Sequence, residues 1–330
     1  MQNIRLAVIG LGKMGLLHAS ILNTMPDVEI VALCDKSSIL LRIAQKLFKK
    51  AKMVSNITNL ADLNINSVYV TTPIPTHFNI ISSLLSKNPI QNIFVEKTLA
   101  SSWDMAKELC KLAENLNGVD MVGYMKRYSV TFRKAKSLLT QEFIGKISSF
   151  DAYAYSSDFS NINQGSKKTS IRGGVLRDLG SHVIDLSTWF FGELEIDSAS
   201  IESIVDESTE DVANVNVSKY NLKGKFAISW CAENYRMPSF GFAIVGNKGT
   251  MKVDDYSLDI NLNNGKNFRW FKHDLVDSVN FLLGDPEYYR EDEAFIKSII
   301  SGEKIEPSFK TASITDYIID QIKKEAKIYK

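Results

Sequence analysis

Gly10-Leu11-Gly12-Lys13-Met14-Gly15 has the spacing G-x-G-x-x-G, and Asp35 follows the last of these glycines by twenty residues. The run comes directly after an apolar stretch, Ile4 to Ile9, and opens a segment of helical character, Met14 to Met25. In that setting the spacing is the fingerprint of a dinucleotide site. Gly10 permits a tight turn. Gly12 lets the backbone approach a pyrophosphate, and Gly15 lets helix and strand pack closely. Lys13 and Met14 start the helix, whose unpaired N–H groups suit phosphate oxygens. Asp35 would accept hydrogen bonds from the adenosine ribose, which favours NAD and repels a 2′-phosphate. Lys36 comes next and softens that repulsion, so NADP stays the alternative cofactor. A Gly-rich turn with an incidental aspartate is the competing reading, and the strand–turn–helix setting counts against it.

The elements that must hold these groups follow from periodicity. Residues 1–123 alternate strand-like and helical runs. Glu29 to Cys34, Ser67 to Val70, Ile93 to Val95 and Asp120 to Gly123 join the first run as strands. Ser37 to Lys49, Phe78 to Leu85 and Ser102 to Leu116 read as helices, the last with Ser102 as N-cap and Gly118 just past its end. Such alternation predicts right-handed βαβ units in a doubly wound parallel sheet, an α/β dinucleotide domain over 1–123. Then the pattern changes. Val130 to Leu139 reads as helix, Lys146 to Tyr155 as strand, 156–173 as a long polar loop and 174–191 as helix. β-like runs from Ala199 to Val253, cut by turns such as Gly246-Asn247-Lys248-Gly249, predict a meandering, mainly antiparallel sheet. Helices return at Glu291 to Ile300 and Thr311 to Tyr329. Residues 124–330 thus form a second α/β domain.

Composition narrows the classes. Lys+Arg number 39 against 38 Asp+Glu, a net charge of +1. No global basic field exists to grip nucleic acid, and none is expected as a partner. With 45% hydrophobic and 23% charged residues the chain reads as globular rather than disordered. Cys34, Cys110 and Cys231 are far apart, and the histidines lack H-E-x-x-H spacing, so neither a disulfide framework nor a metal site is expected. The start, MQNIRLAVIG, lacks the marks of a signal peptide, and no apolar run reaches the roughly 18 residues of a membrane span. These features predict a reduced, soluble, cytoplasmic protein with no membrane partner.

Three further stretches carry a family likeness. They are Thr71-Thr72-Pro73-Ile74-Pro75-Thr76-His77, then Glu96-Lys97 at a strand end, then Gly173-Gly174-Val175-Leu176-Arg177-Asp178-Leu179-Gly180-Ser181-His182-Val183-Ile184-Asp185. In this order and spacing the chain resembles the glucose–fructose oxidoreductase / inositol dehydrogenase (Gfo/Idh/MocA) family over essentially its whole length. The resemblance implies an N-terminal Rossmann domain and a C-terminal α/β domain that binds substrate. That second domain would carry a large open sheet, through which copies pair as a homodimer or homotetramer. It implies hydride exchange between a sugar or polyol carbon and NAD(P). It puts Lys97, Asp178 and His182 at the reacting centre. Thr71, Thr72, Pro73 and His77 fall beside the cofactor, and Glu96 near the nicotinamide ribose. The family usually follows Glu-Lys with proline, where Thr98 stands here. Proline makes a cis bond cheap, whereas a non-proline cis bond costs about 2.5–4 kcal/mol, so a differently shaped loop is expected at Lys97.

Oxidising a secondary alcohol removes a hydride from carbon and a proton from oxygen. Histidine, with an ordinary pKa of about 6.5, suits the proton, and His182 is the expected acceptor. Asp178 lies four residues before it, on the same face of a helix, and would orient the imidazole or touch substrate hydroxyls. Asp185 shares that face as an alternative partner or a structural residue. Lys97 would donate to the reacting oxygen. His77 reads as a backbone or cofactor contact, and His18 as structural or near the cofactor. The resemblance also places Arg127 and Tyr128 in the substrate pocket. Arg172, with Lys167 and Lys168 of the polar loop, adds cations that suit an anionic group such as a nucleotide-sugar diphosphate or a uronate. Solvated surface charge is the competing reading for them. The expected activity gives a keto-sugar, with a nucleotide sugar ahead of a free sugar or inositol. One alternative is a non-catalytic dinucleotide-sensing or partner-binding protein of the same fold. Another is a reductase of a different carbonyl or conjugated bond. Lys97 and His182 are expected to converge at the nicotinamide across a cleft between the two halves.

Overall fold

Short apolar runs, each stopped by glycine, proline or a polar turn, become the strands of the first unit. The structure, a computed structural model, describes residues 4–87, 90–159, 172–205, 209–275 and 286–329. The first unit holds the described residues of 1–123 and 283–313. Its strands are β1 (Ile4–Ile9), β2 (Val28–Cys34), β3 (Lys52–Val54), β4 (Ser67–Val70), β5 (Asn92–Glu96) and β6 (Asp120–Gly123). They pair in parallel in the order β3-β2-β1-β4-β5-β6. The order reverses between β1 and β4. In such a sheet ligands bind outside the carboxyl ends of the strands at that reversal. Helices α1 (Lys13–Leu22), α2 (Ser38–Leu47), α3 (His77–Lys87) and α4 (Trp103–Ala113) connect the strands. Leu6, Val8, Val68, Val70, Ile93 and Val95 are wholly buried between them. Ser102 caps α4 by accepting the Met105 N–H. The sequence pattern did not show β3, because three residues are too few to display a period of two.

The second unit holds the described residues of 124–282 and 314–330. Its strands are β7 (Ile147–Tyr155), β8 (Glu195–Glu202), β9 (Val212–Lys219), β10 (Leu222–Ser229), β11 (Ser239–Gly246), β12 (Gly249–Asp254), β13 (Ser257–Leu262), β14 (Asn267–Phe271) and β15 (Lys327–Tyr329). They form one sheet in the order β14-β13-β12-β11-β7-β10-β9-β8-β15. β7 with β10 and β8 with β15 run parallel, and the other pairs antiparallel. Alternation assigns the faces. Phe150, Ala152, Ala154, Phe226, Ile228, Phe242 and Ile244 enter a core with α5 (Val130–Thr140) and α6 (Ser181–Phe191). Tyr153, Tyr155, Lys225, Ala243 and Val245 lie on the other side.

Two sequence expectations change here. The described residues of 283–313 group with the first unit, where α7 (Pro286–Ser301) packs on α1 and sets Phe295 against Tyr69 and Phe94. Helix α8 (Phe309–Glu325) stops at Glu325, and Lys327–Tyr329 pairs with the edge of β8 instead of continuing the helix to Tyr329. Among the described residues no helix is long and apolar enough to cross a membrane.

Candidate active site

The chain leaves β1 and turns at Gly10, whose φ of +94° lies in the left-handed region. A Cβ there would strike Thr72 Cγ2 at 2.7 Å, and one at Gly15 would lie 1.8 Å from the Gly10 carbonyl oxygen. The turn therefore closes only around glycines. Gly12 differs: its Cβ position is open, with nothing within 4 Å. Gly12 directly precedes α1, whose first turn has neither a side-chain cap nor an acidic residue. Uncapped N–H groups beside open space fit a pyrophosphate. Lys13 is exposed and Met14 half-buried in this turn.

Asp35, just past β2, braces the turn from the neighbouring strand end. Its Oδ2 accepts the Leu11 N–H at 2.7 Å and its Oδ1 the Ser37 N–H at 2.7 Å. The carboxylate is half-exposed and keeps lone pairs for a ribose diol. Lys36 beside it is exposed.

Thr71 follows β4 and donates through Oγ1 to the Gly10 carbonyl at 2.7 Å, joining the two sides of the sheet reversal. Pro73 leads into a single 3-10 turn, Ile74–Thr76. His77, wholly buried, sets Nε2 2.8 Å from the Thr72 carbonyl and Nδ1 2.9 Å from the Thr98 carbonyl. It ties the threonine turn to the loop after β5. Burial pushes its pKa down, although the carbonyls and Glu96 pull the other way. In that loop the Lys97–Thr98 peptide is cis, and the Thr98 hydroxyl donates to the Ala100 carbonyl at 3.0 Å. Glu96, buried at the end of β5, accepts the Lys97 N–H at 3.2 Å, while the Lys97 side chain is half-buried. The other oxygen of Glu96 lies 3.0 Å from His18 Nε2, and His18 Nδ1 lies 2.7 Å from Asp292 Oδ1.

In the second unit, Gly173 and Gly174 take φ of +79° and +89°. A Cβ at Gly174 would enter the Glu210 carboxylate at 2.2 Å. Glu210 in turn accepts the Leu176 N–H and pairs with Lys323 at 3.0 Å. This seats the turn Leu176–Gly180, which is wound as a π-helix and runs into α6 at Ser181. The sequence predicted plain α-helix through this stretch. The wider winding removes the strict i,i+4 stacking of Asp178 under His182, and π turns of this kind often mark functional positions. Asp178 Oδ2 lies 3.0 Å from Arg172 Nη1, which also reaches Asp158 Oδ2 at 2.6 Å. His182 is buried, its ring edge-on to Phe240 at 5.0 Å and to Tyr124 at 6.2 Å between centroids.

Arg127 grips Asp185 with two nitrogens, Nε to Oδ2 at 2.8 Å and Nη2 to Oδ1 at 2.7 Å. Both are buried, so the fork of this arginine is filled from within the protein. Tyr128 is half-buried beside it in the turn Met125–Tyr128. Lys167 and Lys168 lie outside the described residues. Arg127→Lys keeps the charge but loses the planar fork, which should cost about 1–2 kcal/mol of stability. A thermal unfolding midpoint equal to that of the unaltered chain would contradict this.

Sequence reading had no signal for Asp158, Glu210 or Asp292. Each meets its partner only through tertiary packing, His18 and Asp292 lying 274 residues apart.

A family model described as an oxidoreductase family with an NAD-binding Rossmann fold matches residues 4–124, and that of the GFO/IDH/MocA C-terminal domain matches residues 132–252. The chain is 25% identical over 325 residues to inositol 2-dehydrogenase of Rhizobium meliloti, spanning 93% of this chain and 92% of that protein. It is 24% identical over 324 residues to glucose-6-phosphate 3-dehydrogenase of Bacillus subtilis, spanning 90% of this chain and 87% of the relative. Levoglucosan dehydrogenase, solved with NADH and levoglucosan, shares the fold at a TM-score of 0.87 and 20% identity, over 98% of this chain and 97% of that one. A 3-ketoreductase from Actinomadura kijaniata, solved with TDP-benzene and NADP, does so at a TM-score of 0.81 and 17% identity, over 99% of each chain. The two family models together cover most of the sequence, and the chain belongs to the Gfo/Idh/MocA family of oxidoreductases, with its NAD-binding Rossmann domain and its C-terminal domain.

Proposed function

We propose that the protein oxidises a secondary ring hydroxyl of a sugar to a keto group, a nucleotide-linked sugar ahead of a free sugar or inositol. The observation that carries this is the open Cβ position of Gly12 at the uncapped start of α1, with Asp35 fixed beside the same turn. NAD, when bound, supplies the acceptor for the hydride leaving the alcohol carbon. Gly10, Gly12, Lys13, Met14 and Gly15 hold its pyrophosphate. Asp35, with Lys36 adjacent, takes the adenosine ribose and favours NAD over NADP by charge. Thr71, Thr72, Pro73, His77 and Glu96 flank the nicotinamide half.

His182 accepts the proton from the substrate oxygen. Its ring is packed into one orientation, which suits a base that must meet one oxygen. Lys97 donates a hydrogen bond to that oxygen and favours its alkoxide character. Asp178, paired with Arg172, receives substrate hydroxyls. Tyr128 and Arg172 border the substrate. Arg127, committed to Asp185, steadies the helix that carries His182. The names of the relatives, an inositol and a sugar phosphate dehydrogenase, support a polyhydroxylated substrate. A reducing cytoplasm is part of this reading, since the sequence sets Cys34, Cys110 and Cys231 far apart.

The test mixes purified protein with NAD or NADP and a panel of free sugars, inositols and nucleotide-linked sugars, following absorbance of reduced nicotinamide. A rise with at least one of them, faster with NAD, is expected. NADH binding with no turnover of any panel member would replace this reading with that of a dinucleotide-sensing protein. A second copy of the chain covers the outer face of the nine-stranded sheet. There Tyr153 stacks on Tyr155 at 5.2 Å, and Tyr155 meets Tyr235 at 5.1 Å. Sedimentation should return a dimer or tetramer, and a monomer well above assay concentrations would overturn the pairing.

A further inference from the structure

His18 sits in the second turn of α1, wholly buried, with a carboxylate oxygen at each ring nitrogen. Nδ1 is 2.7 Å from Asp292 Oδ1 on α7, and Nε2 is 3.0 Å from Glu96 Oε1 at the end of β5. The rings of Phe94, Tyr69 and Tyr288 surround it, at 5.1, 5.5 and 5.8 Å between centroids. Among the described residues, the titratable groups facing it are Asp292 and Tyr288 from α7, Glu96 from β5 and Tyr69 from β4.

Ionised carboxylates only accept hydrogen bonds, so a ring between two of them must donate from both nitrogens; burial raises the Asp292 pKa, and the charge and hydrogen bond of His18 oppose that rise. Only the imidazolium does that. A neutral ring would point a lone pair at an oxygen. Burial alone would push the His18 pKa down, but Asp292 and Glu96 outweigh it and hold it well above the ordinary value. Glu96 passes the constraint on, because its other oxygen accepts the Lys97 N–H.

We infer that His18 is a positioning residue, held as an imidazolium, that fixes Glu96 and through it the loop bearing Lys97 at the nicotinamide end of the cofactor site. Where the nicotinamide lies rests on the proposed function; the charge state of His18 does not.

Nitrogen NMR on protein with labelled histidine rings should find both His18 nitrogens protonated from about pH 6 to 9, a range in which an ordinary histidine loses one proton. In Asp292→Asn the amide can donate to Nδ1, so the ring should become neutral and titrate. A singly protonated His18 at about pH 8 in the unaltered chain would overturn the inference.

Binding separates positioning from packing. ADP shares the adenosine and the pyrophosphate with NADH and lacks the nicotinamide and its ribose. His18→Ala should weaken NADH by about tenfold, the worth of one charge-assisted hydrogen bond, and ADP by no more than about twofold. Equal weakening of both ligands would reduce His18 to a packing residue of α1. His18→Gln serves if the alanine variant does not fold, and the same split is expected, since the amide carries both donors on one nitrogen whereas the imidazolium donates from two nitrogens to separate carboxylates. A chain that binds neither ligand even when unaltered would sink the dinucleotide reading, while the NMR result still decides the charge.

Discussion

Gly12→Val abolishes binding of NAD and NADH. The Cβ position of Gly12 is open space at the start of α1, where the helix N–H groups have no side-chain cap. Valine would fill that space with two methyl groups, in the place where a phosphate must approach the backbone. The backbone at Gly12 has φ −67° and ψ −168°, an extended conformation that any residue adopts, so the variant folds. Affinity should fall by more than about a hundredfold, because several phosphate contacts are lost together. Fluorescence titration with NADH reads the loss, and a thermal melt like that of the unaltered chain shows that folding is kept. Tight NADH binding by the variant would remove the pyrophosphate from this turn. Gly15→Ala is a different experiment, since its Cβ would lie 1.8 Å from the Gly10 carbonyl oxygen and the turn itself would open.

His182→Ala lowers turnover by about 10²–10⁴-fold, the usual contribution of a positioned base. NADH affinity stays the same, because His182 belongs to the second unit and the dinucleotide turn to the first. The ring packs against Phe240 and Tyr124, so its loss leaves a small void within the second unit. Steady-state rates with the sugar found in the screen, together with NADH titration, separate the two effects. Unchanged turnover would take His182 out of the reaction, and lost NADH binding would point to a damaged fold.

Much of the dinucleotide domain was legible because its chemistry demands particular residue types at short range. A left-handed turn needs glycine at 10, and the contact between Gly15 and the Gly10 carbonyl leaves no room for a Cβ. Strands β1, β4 and β6 have the bounds that their apolar runs and stops suggest. Asp35 carries a duty that spacing alone did not show: it holds the Leu11 and Ser37 N–H groups.

The rest depends on partners distant in sequence. Nothing near His18 signals Asp292, and nothing near Arg127 signals Asp185, yet each pair is buried and within hydrogen-bonding distance. Helix α7 joins the first unit for the same reason, because an amphipathic pattern tells which face is buried and not against what. The π turn at Leu176–Gly180 escaped notice because its apolar spacing matches an ordinary helix. It is seated from outside, by Glu210 against the Leu176 N–H. Strands β13 and β14 were missed although Leu258, Ile260 and Leu262, then Phe268 and Trp270, alternate with polar residues.

Hydride transfer itself can be followed by label. A sugar turned over in the screen is prepared with deuterium on the carbon to be oxidised, and the NADH formed is analysed by mass spectrometry. If this chain passes hydride directly from that carbon to nicotinamide while His182 takes only the oxygen-bound proton, each NADH carries one deuterium at C4. Unlabelled NADH with the deuterium released to water would contradict it.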